Sequence, residues 1–186
     1  MITITPSKRK FDLEEYHSLI NVGIFHEDSN IELINGELFE MSPVGFRHAS
    51  CVKKLNYLFA QKLPKEVIIG VQDPIKLNDK SEPQPDVILL KPRDDFYVTQ
   101  HPTPEDIYLL IEVADSSIDY DRNIKLPAYA ENKIMEVWLI DLNNSLLEKY
   151  TSPKYNYYQK MEKLSVEDTI FVDNFPSLKI AINEVL

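Results

Sequence analysis

The spacing of apolar and polar positions changes several times along the chain, and each change predicts an element. Residues 1–10 read as an extended lead-in. Asp12 then stands three residues before Glu15, the pattern of a capping box, so a short helix is expected from Leu13 that ends near Gly23. Ile31-Glu32-Leu33-Ile34 and Glu37-Leu38-Phe39-Glu40-Met41 alternate in type around Asn35-Gly36. Asn-Gly between two alternating segments is a strong hairpin signal. Alternation would bury one face of this hairpin and leave the other carrying carboxylates.

Ala49, Val52, Leu55 and Phe59 form one stripe of an amphipathic helix over residues 46–62, with His48 in its first turn and Cys51 a small packing residue beside the stripe. Val67 to Val71 is a short apolar run expected as a strand. Pro83 and Pro85 give a rigid entry into a buried strand, Asp86-Val87-Ile88-Leu89-Leu90. Residues 91–106 read as a loop. Ile107 to Val113 is the most apolar strand of the chain, interrupted by one acid, Glu112. A polar turn is expected over 114–120. Asp121 is then expected to cap a helix running to about Asn132, followed by a buried strand from Met135 to Ile140. Short strands are expected near 145–150, 155–159 and 168–172. Trp138, Tyr155, Tyr157 and Tyr158 read as core and sheet-face aromatics.

From residue 46 the order is helix, strand, strand, strand, helix, strand. Interleaving without regular alternation predicts an α/β fold, a mixed β-sheet flanked by helices rather than a doubly wound parallel one. The 186 residues show no repeat, linker or low-complexity segment, so a single domain over 1–186 is expected, with its core at about 46–141.

Composition narrows the chemistry. The four glycines stand alone at Gly23, Gly36, Gly45 and Gly70, so neither a dinucleotide-binding loop nor a P-loop can be built and no nucleotide cofactor is expected. One cysteine forms no internal disulfide and no cysteine-based zinc site. The N-terminus has no apolar signal-peptide core and no run is long enough to span a membrane, which points to the cytoplasm. With 20 Lys and Arg against 30 Asp and Glu, the net charge is −10, which argues against a non-specific nucleic-acid coat protein.

Asp86 begins one predicted strand and Glu112 ends the next. Paired antiparallel, the two strands would bring both carboxylates to the same edge of the sheet, although pattern alone leaves the register open. Two carboxylates so placed need a cation or a shared proton. Oxygen donors suit Mg²⁺ or Mn²⁺, which polarises a phosphoryl oxygen and activates water. Lys125, one turn into the next helix, could reach the same edge and stabilise charge developing on phosphorus. The alternative is a pair of solvated or loop-capping acids. Glu112 fits that alternative less well, because it interrupts an apolar run.

Several segments together carry a resemblance: Pro85-Asp86, Ile111-Glu112-Val113-Ala114-Asp115-Ser116-Ser117, the run from Tyr120 to Ala130, and Glu136-Val137-Trp138-Leu139-Ile140-Asp141. Upstream, Glu32-Leu33-Ile34-Asn35-Gly36-Glu37, Met41-Ser42-Pro43, His48 and Glu82-Pro83-Gln84-Pro85-Asp86 add to it. Over roughly residues 11–150 the chain resembles the Uma2 family of endonucleases, within the PD-(D/E)XK restriction-endonuclease-like superfamily. The resemblance implies a restriction-endonuclease-like sheet with an N-terminal hairpin and extra C-terminal strands. It implies that Asp86 and Glu112 ligate Mg²⁺ or Mn²⁺. The superfamily's usual lysine position, two residues after the acid, holds Ala114, and the family's lysine on the following helix matches Lys125. Asp121 caps that helix or holds Lys125 or Arg122, and Gln84 and Gln72 line the cleft. Glu32 is either a third carboxylate ligand or an exposed hairpin acid. His48 either contacts phosphate or supports a metal ligand, or is a packing residue.

Three functions compete at this point: a metal-dependent endonuclease acting on DNA, a nuclease-fold protein that binds nucleic acid or a protein partner without cutting, and a hydrolase of other phosphoesters. By analogy with restriction-like folds, a homodimer is expected.

Overall fold

The computed structural model describes residues 8–26 and 29–186. The first seven residues of the expected lead-in therefore lie outside the described residues. Helix α1 spans Leu13–Asn21 and begins with the expected capping box: Asp12 Oδ1 accepts from the Glu15 amide at 2.9 Å, and Glu15 Oε2 accepts from the Asp12 amide at 3.3 Å. Strands β1 (Ile31–Ile34) and β2 (Glu37–Glu40) form the expected hairpin, with Asn35 at φ 51° and Gly36 at φ 78°. Two positive φ angles in a two-residue loop match the right-handed twist of the strands. A Cβ on Gly36 would stand 2.7 Å from Lys10 Cβ, so the turn has no space for a side chain.

Helix α2 covers Phe46–Lys62, as the apolar stripe predicts. Six strands then make one sheet: β3 (Ile68–Val71), β4 (Val87–Leu90), β5 (Ile107–Ala114), β6 (Glu136–Asp141), β7 (Leu146–Lys154) and β8 (Tyr157–Leu164), side by side in that order. The β5–β6 pair is parallel and the other pairs are antiparallel. A parallel neighbour requires a crossover, and the helical segment over residues 118–131 supplies it. Strands β4 to β6 are buried on both faces, which is why they read as unbroken apolar runs. One face packs Leu55 and Phe59 of α2 against Leu89, Ile111 and Trp138. The other packs Ala128 and Tyr129 of the crossover against Ile88, Leu110 and Leu139, with Ile34 of the hairpin beside them. Leu33 turns the opposite way, onto Leu13 and Tyr16 of α1.

Three expectations need correction. The crossover helix starts before Asp121: α3 (Ile118–Tyr120) leads into a π-helical turn, Asp121–Lys125, and then α4 (Leu126–Glu131). Asp121 is therefore inside the helix, buried, and not its cap; Ser117 precedes the first turn, and the Asp121 amide donates to its carbonyl at 2.9 Å. Pro127, just after the π turn, lacks an N–H for the carbonyl of Asn123, and the Leu126 amide bonds Asp121 O, five residues back, rather than Arg122 O. The hairpin's carboxylate face is not uniformly exposed, since Glu32 is 3% exposed. The C-terminal strands are longer than expected and number four, with β9 (Thr169–Val172) joined by β10 (Phe175–Ala181). β8 is exposed on both faces and so lacks the alternation that marks a strand.

Candidate active site

The register left open by the sequence is settled by the β4–β5 pairing. Val87 stands opposite Ile111, so the next pair outward is Asp86 and Glu112. Alternation then sends both side chains to the face of α4. There they meet a cavity of about 430 Å³ between the sheet end, the hairpin, the start of α2 and the crossover helix. The structure brings together Glu32, His48, Gln72, Gln84, Asp86, Glu112, Asp121 and Lys125, all of which line this cavity.

Lys125 is at its centre. The π turn carries its ammonium to 3.1 Å from Glu112 Oε1 and 3.0 Å from Glu32 Oε1, and all three side chains are almost fully buried. Ala114, at the position where a lysine would follow the acid directly, is buried in the core instead. Burial works to lower the lysine's pKa, but Glu112, Glu32, Asp121 and Asp86 outweigh it and hold it well above the ordinary value, so Lys125 is charged. Glu32 is fixed by the Gln84 amide at 3.0 Å and by the Tyr120 hydroxyl at 3.2 Å. The hairpin thus delivers a buried acid rather than an exposed one.

Glu112 also accepts from the Tyr129 hydroxyl at 2.5 Å. Its pKa is pushed well above the ordinary value, first by burial and then by Asp121, Asp86 and Glu32, with Lys125 opposing. Asp121 is raised for the same leading reason, burial, against Lys125 and a 2.6 Å hydrogen bond from Ser117. Asp86 is anchored by the Val113 amide at 2.8 Å on Oδ2. Its Oδ1 faces His48 Nε2 at 3.0 Å and accepts from Gln72 at 3.4 Å. The hydrogen bond to Asp86 raises the His48 pKa, with burial opposing, and the buried His48 Nδ1 has no partner among the described residues.

Tyr129, Tyr120 and Ser117 were not foreseen as part of this site. Tyr129 had a signal available: it lies four residues after Lys125, on the same helix face. Ser117 had the same signal, four residues before Asp121; Tyr120 had none, because its partner Glu32 lies 88 residues away on the hairpin.

The donor set fits a hard divalent cation. Asp86 and Glu112 offer carboxylate oxygens without sulfur, and the cavity holds four buried carboxylates against one lysine. Among the described residues no group of three or more His, Cys, Asp or Glu side chains is placed to hold a metal ion, so a cation here would rest on fewer protein ligands. Mg²⁺ ordinarily takes one or two carboxylates and completes its shell with water and phosphate oxygens.

A mixed sheet with paired carboxylates at the end of adjacent central strands, and a lysine delivered by the crossover helix, defines a nuclease-like fold. The family model of Uma2, described as a putative restriction endonuclease, matches residues 13–183, and the chain belongs to that family. The fold is similar to the crystal structure of a putative nuclease belonging to DUF820 from Anabaena variabilis ATCC 29413, with a TM-score of 0.72 and 15% identity over 94% of this chain and 97% of that one. No curated protein matches the chain. No helix among the described residues is long and apolar enough to cross a membrane.

Proposed function

We propose that the chain is a Mg²⁺- or Mn²⁺-dependent endonuclease that hydrolyses phosphodiester bonds in DNA. The observation that carries this reading is the convergence of Asp86, Glu112 and Lys125 on one cavity in a member of a family whose model is described as a putative restriction endonuclease. Asp86 and Glu112 would hold the ion, which when bound polarises a phosphoryl oxygen and acidifies water. The remaining roles belong to the chain. The Val113 amide and His48 fix the Asp86 carboxylate so that its Oδ1 stays turned to the cavity. Lys125, charged and acceptor-free, cannot take a proton from water; its ammonium stabilises the negative charge that builds on the phosphorane oxygens as water attacks, the water's proton passing to solvent, and the P–O bond to the leaving strand breaks, the leaving oxygen taking a proton from solvent. Glu32 and Tyr129 keep the lysine and Glu112 in place. A homodimer would supply one such site for each strand of a duplex.

Purified protein should nick or linearise plasmid DNA with Mg²⁺ or Mn²⁺ and not with EDTA, and Glu112→Ala should abolish the activity. Cleavage by that variant at the wild-type rate would overturn the mechanism. A second reading, binding without cutting, is favoured by the ion pairs that pin Lys125 between two carboxylates. It predicts uncleaved DNA bound at low salt with a steep salt dependence.

A further inference from the structure

The outer edge of the six-stranded sheet is β8, which among the described residues pairs only with β7. Its other side therefore carries a row of unpaired backbone N–H and C=O groups. Proteins commonly protect such edges by keeping them short, by proline, by bulges, or by charged side chains, which deter any partner strand whose charges do not match. β8 is eight residues long, contains no proline or glycine, and is exposed at every position from 159 to 163. The opposite edge strand, β3, has four residues. The two lysines on β8, Lys160 and Lys163, flank Glu162, so the edge carries both signs of charge.

We infer that β8 is the contact surface for a second copy of this chain, the two strands pairing antiparallel about a twofold axis through Met161. The register follows from charge. When a strand pairs with itself about a central residue, each position before the centre faces the equivalent position after it. Only a residue-centred register sets the outward N–H and C=O groups of both strands opposite one another. Centring on Lys160, Glu162 or Lys163 stacks that charge on its own copy, which is destabilising. Centring on Gln159 brings no opposite charges together. Centring on Met161 places Lys160 opposite Glu162 of the partner subunit, twice by symmetry. It also sets Gln159 against the partner's Lys163, Tyr158 against the partner's Leu164, and the half-exposed Met161 against its own copy. Lys163 already has Glu148 at 3.2 Å and needs no new partner. The sheet would continue through both subunits as twelve strands. β8 lies three strands from β5, about 14 Å at the usual spacing, so the pairing leaves both cavities open and stands independently of the nuclease reading.

Sedimentation equilibrium on the full chain tests this. The wild type should be a dimer at micromolar concentration. Glu162→Lys and Lys160→Glu, each placing like charges opposite one another, should each weaken dimerisation at least tenfold. The double variant Lys160→Glu/Glu162→Lys should restore it. Met161→Arg, which sets a charge against its own copy on the axis, should give a monomer with an unchanged circular dichroism spectrum. A monomeric wild type overturns the inference. So does a dimer that tolerates Met161→Arg and both single reversals, which would place the contact elsewhere.

Discussion

Lys125 is the residue whose loss should be felt most, and its effect on stability can be worked from its surroundings. Its ammonium is almost fully buried and lies within 3.1 Å of two buried carboxylates, Glu32 and Glu112. Lys125→Met keeps most of the side-chain volume and removes only the charge. Glu32, Glu112, Asp121 and Asp86 would then share a buried space with no lysine among them. Breaking a buried pair by removing one partner costs about 3–5 kcal/mol, because the charge left behind is unpaired. For a chain of this size that corresponds to a fall of roughly 6–20 °C in Tm. Urea denaturation in EDTA at neutral pH should show a lower midpoint at an unchanged slope. Adding Glu112→Gln to the variant should recover part of the loss, since one of the stranded charges is then gone. A loss below about 1 kcal/mol would match an exposed pair and refute the picture of Lys125 as the internal counter-ion.

Three further outcomes follow from the same geometry. Tyr129→Phe removes a hydrogen bond to the Glu112 carboxylate and should cost about 1.5–3 kcal/mol by urea denaturation; no loss would show that Glu112 is satisfied without it. Gly70→Ala places a Cβ 2.6 Å from Ile88 Cγ1 and 2.9 Å from Asp73 Oδ2 in the β3–β4 pair, and should lower Tm through an overpacking cost of about 1–3 kcal/mol. Burial first, then the neighbouring acids, holds the folded Glu112 carboxyl above its unfolded value, so between those two values the native state binds more protons than the unfolded one. Its contribution is full below the ordinary glutamate range and is lost as pH rises through the raised pKa; the urea midpoint in EDTA should fall across that window, and Glu112→Gln should flatten the slope.

Much of this site is legible in the sequence, and the reasons differ by residue. Glu112 declares itself by interrupting an apolar run, and Asp86 by following two prolines at the entry of a strand. Their meeting depends on the register that pairs Val87 with Ile111, which alternation alone does not fix. Lys125 is legible as a cation one turn into a helix, but its reach comes from the π turn, and a proline two residues on is as common at an ordinary helix start as beside such a turn. Glu32 shows the limit most clearly. Alternation in β1 leaves it open to solvent, yet its three partners, Gln84, Tyr120 and Lys125, come from far along the chain and enclose it. The C-terminal hairpin strands are underestimated for a related reason: β8 buries little, so no hydrophobic period announces it.

Among the described residues acids are buried both in the cavity and away from it, and the contrast with Glu136 separates structure from chemistry. On one side Glu136 is matched in full: Oε1 accepts from Trp138 at 2.8 Å and lies 3.0 Å from Lys149, while Oε2 accepts from the Asp173 amide at 2.7 Å. That network joins β6 and β7 to the turn after β9 and leaves no donor site open. The cavity is built differently, with four buried carboxylates around one lysine. An added divalent cation should therefore stabilise the protein through the cavity and not through Glu136. At a hundredfold excess over its dissociation constant, Mg²⁺ or Mn²⁺ should contribute about 2.7 kcal/mol, read as a rise in Tm without any DNA present. Asp86→Asn and Glu112→Gln should each remove that rise. Glu136→Gln should lower the baseline Tm and keep the rise intact, and a metal response that followed Glu136 instead would place the cation in the wrong part of the molecule for the chemistry proposed.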